Sequence, residues 1–131
     1  PERTVCLFVG DGGLQMTIQE LGTIMEQGCP VKIILMNNNF LGNVRQWQYL
    51  FFNKRYSFTP MLTPDYEGIC KAYGIPSRTI VERKDLADGI KEMLETPGAF
   101  LLQCAVKEED NVLPMTPPGA NVDEMMMEIN A

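Results

Sequence analysis

The sequence predicts an α/β fold, in which a three-layer, mainly parallel sheet carries helices on both faces and is followed by an extended C-terminal arm. Short continuous apolar runs, typical of strands that are buried on both faces, alternate with segments of helical periodicity. Strands that are joined through helices in this way usually pair in parallel. From Lys107 onward the alternation stops, and acidic and then proline-rich sequence follows.

The first half of the chain holds two predicted strands, each followed by a predicted helix. Residues 4–10 (TVCLFVG) form a short apolar run with several β-branched side chains, which indicates a buried strand. Residues 17–27 carry apolar side chains at helical spacing, and Gly28 is a suitable stop. A second buried strand is predicted over residues 31–37 (VKIILMN), and a second helix over residues 40–52.

The second half repeats the alternation after a loop that contains several aromatic residues. Residues 63–65 (TPD) predict the start of a helix, with threonine as N-cap and proline at the first helical position, and Gly74 ends it. Residues 77–81 (SRTIV) and 99–106 (AFLLQCAV) predict the third and fourth strands. A helix over residues 85–95 lies between them.

The predicted elements divide the chain into two parts. Residues 1–106 form the α/β domain, and residues 107–131 form an extended arm that ends in a short helix. A length of 131 residues suits one domain of ordinary size.

Composition limits the classes of partner and chemistry. With a net charge of −6 there is no basic stripe to neutralise phosphates, so nucleic acid is not an expected partner. No apolar run approaches the roughly 20 residues that a membrane span needs, so no membrane partner is expected. The chain has no histidine, which removes every serine–histidine and cysteine–histidine mechanism.

The cysteines predict a reducing environment. The chain has four, Cys6, Cys29, Cys70 and Cys104, with no C-x-x-C pair and no histidine that could complete a zinc site. We expect them to be small buried apolar residues in a reducing compartment, and hence a cytoplasmic location.

Two polar motifs follow the first two predicted strands. Residues 10–13 read GDGG and residues 37–39 read NNN. In open parallel sheets, ligands bind at the carboxyl ends of the strands. The sequence therefore predicts a ligand site where these two motifs meet.

Asp11 decides which ligand suits this place. Gly12 and Gly13 would let the backbone approach a ligand closely, and the start of the following helix favours an anion such as phosphate. The carboxylate of Asp11 would repel phosphate unless a cation lay between them. Mg²⁺ fits because it commonly bridges a carboxylate to diphosphate oxygens, with asparagine and backbone carbonyl oxygens as suitable further ligands.

Other phosphate sites fit less well. The dinucleotide-binding pattern G-x-G-x-x-G would need glycine at Gln15, and no lysine-containing phosphate loop occurs. Each motif alone is also consistent with an ordinary turn or polar loop. The two together, at neighbouring strand ends, are the more specific signal.

The combination of GDG at Asp11 and NN about 27 residues later resembles the cofactor signature of thiamine diphosphate enzymes. The segments NVRQWQ, KRYSFT, PDYEGICKAYGI and VLPMTPPGANVDEM resemble the large catalytic subunit of the acetohydroxyacid synthase (acetolactate synthase) family. The resemblance covers nearly the whole chain. It implies the thiamine diphosphate-binding fold and the C-terminal domain of a longer subunit, without its two upstream domains.

The resemblance also implies roles for residues at both strand ends. Asp11 and Asn38 would bind Mg²⁺ through their side chains, and Phe40 through its backbone carbonyl. Asn43 and Trp47, four residues apart on one helix face, would line the substrate channel. The implied cofactor-binding residues are Gly10, Asp11, Gly12, Gly13, Met16, Asn38, Phe40, Leu41 and Gly42.

Two residues depart from the family pattern. Gly13 stands where serine is common, which would remove a hydroxyl contact, and Asn43 stands where methionine is common, which bears on substrate specificity. The activating glutamate of the family lies in the N-terminal domain of a partner subunit. No catalytic residue is therefore assigned in this chain.

For the intact subunit, the resemblance implies decarboxylation of pyruvate and condensation of the product with a second 2-ketoacid, in branched-chain amino-acid biosynthesis. The implied cofactors are thiamine diphosphate, Mg²⁺ and a non-redox FAD. The implied partners are 2-ketoacids, further copies in a homodimer or tetramer, and a small regulatory subunit. We expect the present chain alone to be inactive.

Two alternatives remain open. One is another enzyme of the same cofactor class, such as pyruvate oxidase, glyoxylate carboligase or a 2-ketoacid decarboxylase. The other is a non-catalytic binding or assembly module.

Overall fold

A computed structural model describes residues 3–128 of the chain. Its centre is a four-stranded sheet, in which all pairs are parallel and the strand order is β1-β2-β4-β3. The strands are β1 (Val5–Gly10), β2 (Val31–Asn37), β3 (Ser77–Ile80) and β4 (Phe100–Ala105). The helices of the described residues are α1 (Asp11–Met16), α2 (Glu20–Gln27), α3 (Gly42–Phe51), α4 (Tyr66–Ala72) and α5 (Leu86–Glu95). The predicted parallel α/β sheet is confirmed.

Apolar side chains cover both faces of the sheet. On one face, Ile33 and Leu35 of β2 and Leu101 of β4 are buried against side chains of α1, α2 and α4. On the other face, Phe100 and Leu102 of β4 pack with residues that include Met93 of α5. Alternate residues of the same strands point to opposite faces, so β2 and β4 need apolar side chains at nearly every position. This packing confirms helices on both faces.

Strand β1 differs from the prediction, because it is exposed rather than buried. Val5 is 60% exposed and Phe8 is 68% exposed. β1 pairs with β2 alone and lies at the edge of the described sheet, where the described helices leave most of its surface uncovered. For the same reason Cys6 is exposed, whereas Cys70 and Cys104 are buried as expected.

The first helix also differs from the prediction over residues 17–27. A short helix, α1, begins at Asp11 itself and ends at Met16, and α2 follows a turn at residues 17–19. The Thr17 hydroxyl donates to the carbonyl of Gly13 at 3.4 Å. The GDGG motif is therefore the start of a helix rather than a loop before one.

The N-cap of α4 lies two residues later than the one predicted at Thr63. Asp65 is the N-cap, and its Oδ1 accepts a hydrogen bond from the backbone N–H of Gly68 at 2.9 Å. The Thr63 hydroxyl is used elsewhere, since it donates to Oδ1 of Asn39 at 2.9 Å. Pro64 therefore precedes the helix instead of occupying its first position.

The described part of the arm is extended and crosses α3. Its short helix is a 3₁₀ turn at Val122–Glu124, and Met115 and Met126 pair across an isolated antiparallel bridge. Residues 129–131, at the end of the predicted arm, lie outside the described residues. The division at residues 106 and 107 stays a prediction. Within residues 3–128 no helix is both long and apolar enough to cross a membrane.

Candidate functional site

The carboxyl ends of three neighbouring strands meet at one edge of the sheet. Gly10 at the end of β1 pairs with Met36, and Asn37 at the end of β2 pairs with Ala105 at the end of β4. The backbone N–H of Val106 also donates to the Asn37 carbonyl at 3.0 Å. The segments that follow all three strands therefore begin side by side.

Asp11 is a buried carboxyl group with an unpaired oxygen. The residue is 2% exposed, and its Oδ2 has no hydrogen-bond partner in the described structure. Burial raises the pKa of this carboxyl above its usual value, and the backbone N–H groups of Gly12 and Asn39 partly offset the rise. A buried carboxylate oxygen without a partner is costly, so a cation at this position would remove a penalty.

The hydroxyl of Tyr66, on α4, holds the backbone of Asp11 in position. It donates to the backbone carbonyl of Asp11 at 3.1 Å, and Tyr66 is itself 2% exposed. Burial, and then the neighbouring charge of Asp11, raise the pKa of Tyr66. The helix α4 thus fixes the position of the Asp11 backbone through a buried hydrogen bond.

The asparagines that follow β2 form a tight turn. Oδ1 of Asn37 accepts from the N–H of Asn39, and Oδ1 of Asn38 accepts from the N–H of Phe40, both at 3.1 Å. Asn39 has a φ of 58°, a left-handed conformation that asparagine tolerates better than most residues. The run of asparagines is therefore required by the turn as well as by any ligand.

The backbone of Phe40 is fixed by the segment around Thr59. The Leu41 N–H donates to the Thr59 carbonyl at 2.9 Å, and the Met61 N–H donates to the Asn39 carbonyl at 2.8 Å. These bonds flank an antiparallel bridge between Phe40 and Pro60, in which the polar groups of Phe40 point away from Pro60. The Phe40 carbonyl therefore faces the same side as its N–H, toward Asn38.

A cleft of about 390 Å³ lies between the segment around Asp11, the turn that holds Asn38 and the start of α3. The residues that line it are Gly10, Asp11, Gly12, Gly13, Met36, Asn38, Phe40, Leu41, Gly42, Asn43, Val44 and Val106. One carboxylate, one side-chain amide and several backbone groups thus converge on a concave surface, as is usual for small-molecule sites.

Gly42 and Gly12 allow the walls of the cleft to pack closely. A Cβ at Gly42 would lie 2.9 Å from Nδ2 of Asn38, and one at Gly12 would lie 2.8 Å from Cδ2 of Leu41. Both distances are too short for a side chain without movement of its neighbour. A side chain at Gly42 would thus displace the Asn38 amide, and one at Gly12 would displace the Leu41 side chain, which is the contact that joins the two strand-end segments.

The structure brings together most residues of the predicted site. Eight of the nine predicted cofactor-binding residues, and also Asn43, line the cleft. Met16 does not line it and is 73% exposed, and Trp47 lies outside it on the exposed side of α3, at 40% exposure. The roles of all these residues stay predictions.

Three lining residues, Met36, Val44 and Val106, were not predicted from the sequence. Met36 and Val106 lie at strand ends like the predicted residues, but the strand order that places β4 beside β2 is not encoded in any local pattern. Val44 follows Asn43 in the first turn of α3, and helical periodicity alone does not place it at the cleft.

The donor set suits a hard cation. Within residues 3–128 no group of three or more histidine, cysteine, aspartate or glutamate side chains could hold a metal ion. Asp11 contributes a single carboxylate, and Asn38 and Phe40 contribute neutral amide and carbonyl oxygens. Mg²⁺ is commonly bound by one or two carboxylates together with phosphate oxygens, so the residues present fit it.

A larger cavity, of about 560 Å³, lies between β1 and α5, on the face of the sheet that α5 covers, and it shares Met36 and Val106 with the cleft. Its walls are almost entirely apolar and include Cys6, Phe8, Ile34 and Met93. It lacks the converging polar groups that orient a small ligand, so the smaller cleft is the candidate site.

Comparison with known proteins identifies the family. A family model described as "Thiamine pyrophosphate enzyme, C-terminal TPP binding domain" matches residues 1–104. The match includes every residue of the predicted site.

Curated relatives match beyond that domain. The chain is 40% identical over 131 residues to the acetolactate synthase isozyme 2 large subunit of Escherichia coli K12, covering 99% of this chain and 24% of the relative. It is also 40% identical over 128 residues to the acetolactate synthase large subunit of Pyropia yezoensis, covering 96% and 22%. The chain thus spans about a quarter of the length of the curated relatives it matches.

Solved structures share the fold at low sequence identity. The thiamine diphosphate-dependent 4-hydroxybenzoylformate decarboxylase of Rhodococcus jostii RHA1 matches with a TM-score of 0.77 and 21% identity, over 85% of this chain and 21% of that chain. The benzoylformate decarboxylase of Polynucleobacter necessarius matches with a TM-score of 0.76 and 23% identity, over the same shares. At these identities the likeness concerns the fold alone.

Proposed function

Since this chain belongs to the family of thiamine pyrophosphate enzymes, as their C-terminal TPP-binding domain, we propose that it binds the diphosphate of thiamine diphosphate through Mg²⁺ in the cleft at the carboxyl ends of β1 and β2. The observation that carries the proposal is the buried Oδ2 of Asp11, which lacks a partner. A cation held there would compensate the carboxylate and attract the diphosphate.

Each side of the cleft contributes a different part of the binding. Asp11 and Asn38 supply side-chain oxygens to the metal, and Phe40 supplies its backbone carbonyl. The space around Gly10 is open, since nothing lies within 4 Å of a Cβ built there. Together with Gly12 and Gly13 it provides backbone N–H groups that the diphosphate oxygens can approach.

We propose further that the chain acts within an acetolactate synthase, which decarboxylates pyruvate and condenses the product with a second 2-ketoacid. Relatives of that name, at 36% to 40% identity, cover at least 96% of the chain and include the arm, which supports this choice. The similarity to decarboxylases concerns the fold and does not favour decarboxylation alone.

When bound, thiamine diphosphate supplies the electron sink that decarboxylation of a 2-ketoacid needs. The share of this chain is to hold and orient the cofactor. Asn43, at the rim of the cleft, and Trp47, one turn further along α3, would border the path of the 2-ketoacid. The activating glutamate, a non-redox FAD and the partner subunits belong to the same proposal, and no residue here is assigned to them.

Calorimetric titration of the 131-residue chain with thiamine diphosphate tests the metal site. Binding is expected with Mg²⁺, to be lost when the metal is chelated, and to be lost in Asp11→Ala. Asp88→Asn, which removes an exposed carboxylate on α5, is the matched control and should bind as the unchanged chain does. Equal binding with and without Mg²⁺ would contradict the assignment.

A second measurement tests the division of labour. The purified chain should form no acetolactate from pyruvate, because the group expected to activate the cofactor lies outside it. Sustained acetolactate production, at a rate proportional to the concentration of the chain, would show that this expectation is wrong.

A further inference from the structure

Arg45 is a buried cation on α3, to which the sequence assigns no role. It is 5% exposed, and its guanidinium carbon lies 5.0 Å from the centre of the Phe40 ring and 4.7 Å from that of Tyr56. Nη1 donates to the Glu108 carbonyl at 3.0 Å, and Nη2 donates to the Glu109 carboxylate at 2.8 Å. Only a planar guanidinium can stack on aromatic rings and bond along its edge at the same time.

Gln46, the next residue, is also buried and bonds to the same arm. Its Nε2 donates to the Val112 carbonyl at 2.9 Å, and its Oε1 accepts from the Val112 N–H at 2.7 Å. The Nε2 group also lies 3.1 Å from Sδ of Met115. The side-chain amide thus pairs with both the N–H and the C=O of one residue, Val112, as a residue of a neighbouring strand would.

No apolar side chain of the described part of the arm is fully buried. Residues 107–110 are exposed, Val112 is 75% exposed, and Leu113 and Met115 are half-buried. Segments held by few buried apolar contacts open at low free-energy cost. The hydrogen bonds of Arg45 and Gln46 therefore have a large share in holding the arm to α3.

Arg45 also connects the arm to the cleft. Phe40, over whose ring the Arg45 guanidinium lies, lines the cleft, and so do Gly42 and Asn43 in the first turn of α3. The arm itself leaves β4 through Val106, which lines the cleft as well. Arg45 thus contacts both the arm and a residue of the site.

We propose that Arg45 and Gln46 are positioning residues: they clamp residues 108–115 of the arm onto α3, and Arg45 keeps Phe40 in place for the metal. The positioning of Phe40 rests on the proposed function, in which its carbonyl binds Mg²⁺. Because coupling between two sites is reciprocal, attachment of the arm favours metal binding, and metal binding favours attachment of the arm.

Hydrogen exchange of the arm, measured without cofactor, tests the clamp. The Met115 N–H donates to the Met126 carbonyl at 3.0 Å within the arm, in an isolated bridge. Because such a bridge has little stability once the arm leaves α3, exchange of this N–H reports attachment. Gln46→Ala should accelerate its exchange by at least about fivefold, because two hydrogen bonds to the arm are lost. Val112→Pro, which removes the N–H that Gln46 accepts, should do the same.

Val112→Ala is the matched control, because it keeps the peptide group and changes only an exposed side chain. Its exchange at Met115 should stay within about twofold of the unchanged chain. Circular dichroism confirms that each variant is folded. Unchanged exchange in folded Gln46→Ala would overturn the clamp, and accelerated exchange in Val112→Ala would show that the side chain, not the peptide, is held.

Titration with thiamine diphosphate and Mg²⁺ tests the positioning of Phe40. Arg45→Lys keeps the charge but loses the planar stack, and should weaken the apparent affinity for Mg²⁺ about tenfold. Glu109→Gln should change it by no more than about twofold, because the carboxylate is 82% exposed and the ion pair is screened by solvent. Unchanged Mg²⁺ affinity in Arg45→Lys would overturn the positioning of Phe40.

Asp11→Ala separates the two proposals. If it loses Mg²⁺-dependent binding while Arg45→Lys binds normally, the proposed function stands and the positioning role fails. If Asp11→Ala binds as well as the unchanged chain, the proposed metal site fails and takes the positioning of Phe40 with it. The clamp is still judged by exchange alone, since that measurement uses no cofactor.

Discussion

Replacing Asp11 by asparagine should make the chain more stable without Mg²⁺ and unable to gain stability from the metal-bound cofactor. The buried Oδ2 of Asp11 has no partner. An unsatisfied buried polar atom costs about 1–3 kcal/mol, and more when the group is charged, so the amide of asparagine keeps the first cost but removes the addition for the charge. A negative charge in the first turn of α1 offsets about 0.3–1 kcal/mol of that cost. The variant should therefore unfold with a free energy about 1 kcal/mol higher than the unchanged chain at pH 7.

The pH dependence of this difference follows from the pKa of Asp11. Burial raises the pKa in the folded state, so the folded chain binds more protons than the unfolded chain between the two pKa values. Stability from the protonated form is present at low pH and is lost as the pH rises through the folded pKa. The advantage of Asp11→Asn should thus be full at pH 7 and disappear toward pH 4, near the ordinary pKa of aspartate.

Urea unfolding at pH 4, 5.5 and 7, with a chelator or with Mg²⁺ and thiamine diphosphate, measures both effects. The cofactor should stabilise the unchanged chain in proportion to the logarithm of its concentration, and should leave Asp11→Asn unchanged. Asp88→Asn serves as the exposed control: it removes a charge from the first turn of α5, so it should lose no more than about 0.3–1 kcal/mol and should still gain stability from the cofactor. If Asp11→Asn is less stable than the unchanged chain at pH 7 with the chelator, the conclusion that the buried carboxylate of Asp11 lacks a partner is wrong.

Three further predictions concern other parts of the fold. Lys32 is 5% exposed, and its Nζ donates to the carbonyls of Thr96 and Gly98, after α5, at 2.6 and 2.7 Å. Lys32→Met should therefore lower the free energy of unfolding, measured in urea, by about 1–3 kcal/mol, because both carbonyls lose their partner. An unchanged unfolding midpoint would contradict this. Gly42→Ala places a methyl group 2.9 Å from Nδ2 of Asn38 and so displaces that amide, and Mg²⁺-dependent cofactor binding should weaken at least about fivefold in calorimetry; normal affinity would mean that the Asn38 amide moves freely. Burial raises the pKa of the Cys70 thiol to about 11, whereas Cys6 is exposed. A thiol reagent at pH 8 should therefore label Cys6 first, which mass spectrometry of the peptides can show. Labelling of Cys70 at an equal rate would indicate that its surroundings open readily.

Local chemistry explains which parts of the fold the sequence predicted well. The runs of residues 31–37 and 99–106 are apolar at almost every position, because β2 and β4 are central strands with both faces covered. The same type of run at residues 4–10 predicts the strand β1 but not its exposure. A sequence pattern reports what a strand is suited to pack against, whereas its exposure depends on the elements that lie beside it.

The sequence misplaced the start of α4 and assigned no role to Arg45, because both side chains bind partners that are distant along the chain. Thr63 is a good helix N-cap by residue type, but its hydroxyl donates to Asn39, which is 24 residues earlier in the chain. Arg45 has no role assigned from the sequence, but the structure buries it, with two aromatic rings beside it and the arm bonded to its guanidinium. In both cases a contact distant along the chain overrides the local preference.

By itself the sequence determined the class of site: a carboxylate among glycines at the end of one strand, and asparagines at the end of the next. Residue chemistry suffices for this, because the carboxylate of Asp11, the amide of Asn38 and the freedom of Gly12 are properties of single residues. Only the tertiary structure decided the burial of Asp11, the approach of the two turns, and the attachment of the arm through Arg45 and Gln46. These depend on strand order and on contacts between residues far apart in the chain, which no local pattern encodes.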